Sequence, residues 1–232
     1  KICQSILACQ PVCLLKWFLK NDPEVIERTK WIFSVKDYIR FMLTGEAFLE
    51  VTDFSGTGLM NIAEGRLDVS LLKEYRLEEI YDKLPELRYS TDVCGFVHEK
   101  AAALTGLKPG TPVSGGMFDI DACAIAMDVT TEDRLCVIAG TWSINEYISK
   151  APVTNKTVRM NSLFCIPGYY LIEECSPTSA SNSEWFIDRF LGEEKAAARQ
   201  AGFSVYDIAD SLISSVSPDD SMIVFLPFLW IL

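Results

Sequence analysis

Apolar residues recur in two periods along the chain, and the switches between them predict its elements. Leu7, Val12, Leu14, Leu15, Phe18 and Leu19 recur at helical spacing and predict a helix over residues 7–20 with a wide apolar face. Asn21-Asp22-Pro23 breaks it and opens a short helix from Glu24 to Thr29. Trp31-Ile-Phe33 predicts a short strand, and Lys36–Leu43 a helix stopped by Thr44-Gly45. Val51-Thr-Asp-Phe-Ser-Gly-Thr-Gly58 predicts a polar, glycine-bearing turn. Small helices are predicted over 69–75 and 77–84, a strand over 92–97, a helix over 98–105 ended by Gly106, and a strand over 111–115. Strands alternating with helices indicate an α/β domain.

Composition changes at the polar connector Asp128-Val-Thr-Thr-Glu-Asp-Arg134, which sets the expected boundary between a domain at 1–128 and another at 129–232. Strands are predicted over 135–139, 145–149, 162–166 and 169–173, with turns between them that suit antiparallel neighbours. Helices follow over 185–191, 195–201 and 205–214, and Met222–Pro227 is expected as the last strand. No internal repeat is visible.

The 232 residues carry 21 Lys and Arg against 32 Asp and Glu, a net charge of -11. That balance argues against nucleic acid and acidic membrane surfaces as partners. A phosphate site would have to rely on local geometry, with backbone N–H groups or a metal ion supplying positive charge. Eight cysteines form no Cys-x-x-Cys pair, and His98 is the sole imidazole, so a zinc site is poorly supported. Free thiols in apolar runs point to a reducing, cytoplasmic setting. The longest apolar run, Ile223–Leu232, falls short of the ~20 residues that a membrane crossing needs. It ends the chain, and Lys1 opens it without an initiator Met, so a segment of a longer protein is expected.

The residues with the most chemical content lie in Pro112-Val-Ser-Gly-Gly-Met-Phe-Asp119 and Val137-Ile-Ala-Gly-Thr-Trp-Ser143. Asp119 precedes Ile120–Met127, which is apolar on nearly every side and is expected to be a buried helix. It fits an N-cap and equally a base that orients and deprotonates a sugar hydroxyl. Gly140-Thr141 fits a plain hairpin turn, or a bend offering N–H and hydroxyl donors to a phosphate. Ser181-Asn-Ser-Glu184 fits a capping box, or a helix start facing a nucleotide phosphate. A carboxylate and a phosphate-sized turn on neighbouring strands point to phosphoryl transfer to a hydroxyl. There is no Gly-x-x-x-x-Gly-Lys-Ser/Thr loop and no serine nucleophile elbow.

Cys13-Leu-Leu-Lys-Trp-Phe-Leu-Lys-Asn-Asp-Pro-Glu24, Lys36-Asp-Tyr-Ile-Arg-Phe-Met-Leu-Thr-Gly45, Thr52-Asp-Phe-Ser55 and Leu104–Asp119 occur in an order that resembles the FGGY carbohydrate kinases. The Gln10-Pro-Val start and the Gly-Gly-Met-Phe-Asp and Gly-Thr-Trp segments are most similar to the xylulose and L-xylulose kinase branch. The resemblance implies an actin-like ATPase fold of ribonuclease-H type, with parts of two domains and mixed sheets. These would be the second half of a sugar domain and the first half of an ATPase domain. It implies ATP and magnesium, a ketopentose acceptor and a homodimer. It places Asp119 on the catalytic base, Gly140 and Thr141 at nucleotide phosphates, and Gln10 and Phe54 near the sugar, and it assigns no metal ligand; Ser181 joins the phosphate residues on its helix start alone. The family's opening Asp-x-Gly-Thr loop and its later glycine-rich adenine segment are not in the sequence. The chain by itself is therefore expected to be a poor kinase, or a non-catalytic remnant that binds sugar or protein.

Overall fold

The computed structural model describes residues 1–140, 142–155, 157–176, 178–217, 219, 222 and 224. The chain divides into two compact units. One holds Lys1–Cys136 and Glu146–Glu174; the other holds Val137–Asn145 and the described residues from Cys175 onward. The contacts therefore do not divide at the expected 128/129 connector. The first unit runs on to Cys136 and takes back 146–174, because residues 161–165 bond to residues 3, 55 and 121 of that unit.

The first unit opens with α1 (Pro11–Asn21), α2 (Pro23–Arg28) and α3 (Val35–Thr44). Pro11 and Pro23 stand in first turns, where the missing N–H costs nothing. Ser34 caps α3 by accepting from the Asp37 N–H, and Gly45 ends it at φ 78°, a left-handed conformation that favours glycine. Next come β1 (Phe48–Glu50), α4 (Val51–Ser55), β2 (Met60–Asn61), β3 (Arg66–Leu67), α5 (Val69–Glu74) and a 3₁₀ turn at Glu78–Lys83. Then follow β4 (Glu86–Arg88), β5 (Val93–Phe96), α6 (Glu99–Thr105), β6 (Pro112–Ser114) and α7 (Asp119–Ala126). β1 runs parallel to β4, with Leu49 opposite Leu87; β5 runs antiparallel to β6 through an irregular register. Leu49, Phe54, Leu59, Met60, Ile62, Leu72, Leu77 and Ile80 form the main core.

The remaining strands are β7 (Cys136–Ala139), β8 (Ser143–Ser149), β9 (Met160–Leu163) and β10 (Tyr170–Ser176), with β10 between β8 and β9. β9 and β10 are antiparallel, with Leu171 opposite Ser162 and Glu173 opposite Met160. In the second unit α8 (Ala180–Phe190), α9 (Gly192–Ala201) and α10 (Val205–Ser214) follow, the last opened by a reciprocal Ser204–Asp207 capping box.

Two sequence expectations change. Residues 31–33 are not a strand: Ile32 makes a single backbone bond to Lys83 and no ladder forms. The turn expected at 51–58 begins as helix α4, because the Glu50 side chain accepts from the N–H groups of Thr52 and Asp53 and so caps a helix there. The expected strand Met222–Pro227 lies largely outside the described residues. Among the described residues, no helix is long and apolar enough to cross a membrane.

Candidate active site

The segment that carries Asp119 is threaded through a tight gap. The Gly115 N–H donates to the Asp92 carbonyl at 3.0 Å, and the Gly116 N–H to the Ser90 carbonyl at 3.1 Å. A Cβ on Gly115 would meet the Tyr89 carbonyl oxygen at 2.3 Å, so only glycine passes. From the other side Arg40 reaches the Gly115 carbonyl at 2.6 Å while pairing with Asp37 at 2.9 Å. Arg40, Asp37 and Glu50 are buried, and Lys36 joins them with its ammonium near Asp37 (2.7 Å), Glu50 (3.4 Å) and Asp53 (3.7 Å). Three carboxylates thus face two cations, and every ionised group has an opposite charge within reach. Asp53 lies at the margin of this set. Its carboxyl is raised above the usual range by burial foremost, which outweighs Ser34 and Lys36 acting in the other direction.

Asp119 is the first residue of α7 and is exposed; Phe118, not Asp119, occupies the N-cap position. The Asp119 Oδ1 accepts from the Ile120 N–H at 2.9 Å. α7 is also less buried than its composition predicts. Asp121 and Ala124 face inward, whereas Ala122, Cys123 and Ala126 are exposed. The helix is apolar all round but packed on one side only.

Behind Asp119 the first unit gathers acids that sequence reading did not single out. Asp121, Glu146 and Glu173 are at most 1 % exposed. Asp121 Oδ1 accepts from the Cys165 N–H at 2.8 Å, while its Oδ2 has no partner. Burial foremost, with the charges of Glu50, Glu173 and Glu146, pushes Asp121 up to about 8 against the pull of the Cys165 N–H. Burial and the charge of Asp119 push Glu146 up to about 7. The Cys136 thiol opposes that shift, and neither Glu146 oxygen has a hydrogen bond of ordinary geometry. Glu173, which accepts from the Ser162 hydroxyl at 3.3 Å, also rises to about 7 through burial, Glu146 and Asp119. The signal in the sequence was an acid in the first turn of an apolar helix, Asp121, and acids within strand-like runs, Glu146 and Glu173. Among the described residues, no group of three or more His, Cys, Asp or Glu side chains is arranged to hold a metal ion.

In the second unit Gly140 and Ser181 come together. The Ala180 N–H, at the first residue of α8, donates to the Gly140 carbonyl at 3.1 Å, and the Gly140 N–H closes on the Trp142 carbonyl at 3.0 Å. Among the described residues, only that carbonyl, at 3.8 Å, stands near the Cβ position of Gly140. Ser181 does not cap α8 as expected. The helix starts two residues earlier, Ser179 takes the N-cap place without a side-chain bond, and the Ser181 hydroxyl is buried with no partner among the described residues. The Gly140 and Ala180 N–H groups are both engaged within the chain, so the orphaned Ser181 hydroxyl in the first turn of α8 is the donor left over beside the glycine bend. Thr141 lies outside the described residues.

Gln10 and Phe54 sit at the α1–α4 junction. The Gln10 side chain accepts from the Leu7 N–H and donates to Gln4 and to the Gly56 carbonyl, so its amide is engaged within the chain. Phe54 is 3 % exposed, inside the main core. Asp53, one residue earlier, is the part-exposed member of α4. His98 caps α6 by accepting from the Ala101 N–H at 3.0 Å.

Residues 1–126 match the N-terminal domain of the FGGY family of carbohydrate kinases, more than half of the chain. The chain belongs to this family. It is 32% identical over 228 residues to a probable L-xylulose kinase of Haemophilus influenzae, and 30% identical over 228 residues to an L-xylulose/3-keto-L-gulonate kinase of Escherichia coli. Each match covers 98% of this chain but 45% and 44% of the relative, so the chain spans about half the length of these FGGY kinases. The crystal structure of a xylulose kinase from Rhodospirillum rubrum superposes with a TM-score of 0.85 at 24% identity, over 98% of this chain and 45% of that one. A kinase from Brucella ovis gives 0.81 at 22% identity. The fold is therefore that of the FGGY kinases, the actin-like ATPase class.

Proposed function

We propose that the chain carries the base and part of the phosphate site of an ATP-dependent kinase acting on a ketopentose of the xylulose or L-xylulose type. The observation that carries the reading is Asp119. It is an exposed carboxylate at the start of a helix whose approach is fixed by Gly115, Gly116 and Arg40. The kinship with L-xylulose kinases supports the acceptor class, and a family of kinases supports ATP as the phosphoryl donor.

In this reading Asp119 accepts a hydrogen bond from the acceptor hydroxyl and takes its proton as the new oxygen–phosphorus bond forms and the bond from the γ-phosphorus of ATP to its bridging oxygen breaks, releasing ADP. Phosphoryl transfer through a loose transition state asks mainly for alignment, with proton loss late, so an ordinary carboxylate suffices. The Gly140 bend and the Ser181 hydroxyl hold a nucleotide phosphate. Magnesium would neutralise phosphate charge when bound; the described residues offer no cage for it, and no step here is routed through it.

The test mixes the chain with ATP, magnesium and D-xylulose or L-xylulose and follows ADP, alongside the thermal shift caused by each sugar. At most slow sugar-dependent ADP formation is expected, as for a poor kinase, and Asp119→Asn should lower that turnover about 10²- to 10⁴-fold with little change in sugar affinity. Unchanged turnover in that variant would remove Asp119 from the mechanism. Sugar stabilisation without ADP would assign the chain a binding role, as a non-catalytic relative of the kinases.

A further inference from the structure

We propose that Thr52 is a positioning residue for Asp119, the joint through which buried Glu50 sets the direction of α7's first turn. The proposal rests on the reading of Asp119 as the base.

The bonds around Glu50 fix their own donors. Its Oε1 accepts from the Thr52 N–H at 3.1 Å and the Ser90 hydroxyl at 2.7 Å. Its Oε2 accepts from the Thr52 hydroxyl at 2.7 Å and the Asp53 N–H at 3.3 Å, with the Lys36 ammonium 3.4 Å away. An ionised carboxylate only accepts, so the single hydroxyl proton of Thr52 goes to Glu50. The lone pairs left on Thr52 Oγ1 face the Phe118 N–H, which donates to it at 2.8 Å across 66 residues of sequence. No rotation of the hydroxyl satisfies both partners the other way round.

Phe118 needs this acceptor. It is the N-cap of α7 and makes no side-chain cap of its own. In a capping box the third helical residue reaches back to the N-cap N–H. Here that residue is Asp121, and its carboxylate is turned to the Cys165 N–H instead. Thr52 supplies from α4 what α7 cannot supply for itself. Asp119 is the next residue, so its direction is set by two tertiary hydrogen bonds on either side of it in sequence, Thr52 to Phe118 and Asp121 to Cys165.

The test compares the chain with Thr52→Val, which keeps the shape and removes the hydroxyl, and with Thr52→Ser, which keeps the hydroxyl. Two readouts avoid activity altogether: hydrogen exchange at the Phe118 amide, and the chemical shift of the Asp119 backbone amide. In Thr52→Val the Phe118 amide should exchange on the order of tenfold faster than in the parent chain. Amides of the Leu71, Leu72, Leu77 and Ile80 part of the core should keep their rates, and the Asp119 amide signal should move. Thr52→Ser should restore both. Equal exchange at Phe118 in Thr52→Val, or a Thr52→Ser variant as perturbed as Thr52→Val, would overturn the proposal. A uniform speeding of all amides would also overturn it, since that is plain destabilisation. Should Thr52→Val not fold, Thr52→Cys provides a weaker acceptor, and its Phe118 exchange should lie between those of Ser and the unprotected amide; exchange at the parent rate would sink the idea. An Asp119 with no part in phosphoryl transfer leaves both readouts standing, so the two proposals fail separately.

Discussion

Single atoms decide the approach to Asp119. Gly115 is the sharpest case, because the clash its Cβ would make is with backbone, which cannot swing aside. Gly115→Ala should therefore lower stability by about 1–3 kcal/mol, the range for forcing atoms into a filled space, measured by urea unfolding. The substitution should also disturb Arg40, which loses its 2.6 Å acceptor if the strand moves. Some of this was legible in the sequence. A Gly-Gly pair before an acid marks a place where backbone passes close to something. What it passes was not legible, because Tyr89 and Ser90 are some 25 positions away and nothing local about them advertises a carbonyl. The same holds for Thr52. A threonine before an aspartate looks like a turn former, and only the fold brings its hydroxyl to Phe118.

Where an element carries its own punctuation, the sequence locates it. Ser34 and Gly45 bound α3, and His98 and Gly106 bound α6. α4 was missed because it is five residues long and its cap comes from Glu50, an acid that looks like part of the preceding strand. α7 teaches the opposite lesson. Its apolar composition predicts burial on all sides, yet its inward face holds an acid, Asp121. That acid and its neighbours Glu146 and Glu173 make a prediction at this scale. Each has a folded-state value raised to about 7 or 8, above the roughly 4 of an unfolded carboxylic acid. Below about pH 4 both states hold the proton, and the folded state keeps its full stability. As pH rises from 4 towards 8 the unfolded chain ionises first, and stability falls by up to about 1.4 kcal/mol per pH unit for each group. Urea unfolding at pH 5 and pH 8 should show the chain weaker at pH 8, and Asp121→Asn should flatten that slope. A slope unchanged by the variant would show that Asp121 ionises alike in both states.

At the scale of the whole chain, eight thiols report on two compact units at once. All eight are free. Cys9 and Cys123 are exposed, whereas Cys94 and Cys136 are buried, and burial pushes Cys136 up to about 11. A thiol reacts as its thiolate, so alkylation followed by mass spectrometry should mark Cys9 and Cys123 first, and Cys94 and Cys136 only on unfolding. Fast native labelling at Cys136 would contradict its burial beneath Glu146. The overall acidity, -11, was legible from composition, and so was the kinship that ordered motifs carry. How the contacts divide the chain was not. The polar connector at 128–134 looks like a boundary, but β9 and β10 return to the first unit through bonds that no local pattern encodes.

The five charges at Lys36, Asp37, Arg40, Glu50 and Asp53 are knitted so closely that none has a private partner. Replacing Asp37 strands the buried Arg40, and replacing Lys36 leaves the buried Glu50 without its cation, each a loss far greater than that of a solvent-facing ion pair. Random drift can therefore not edit these two positions singly. They form a single heritable unit, exchanged together through compensating changes or kept whole, and a divergent relative that has altered one of them should have altered its counterpart as well.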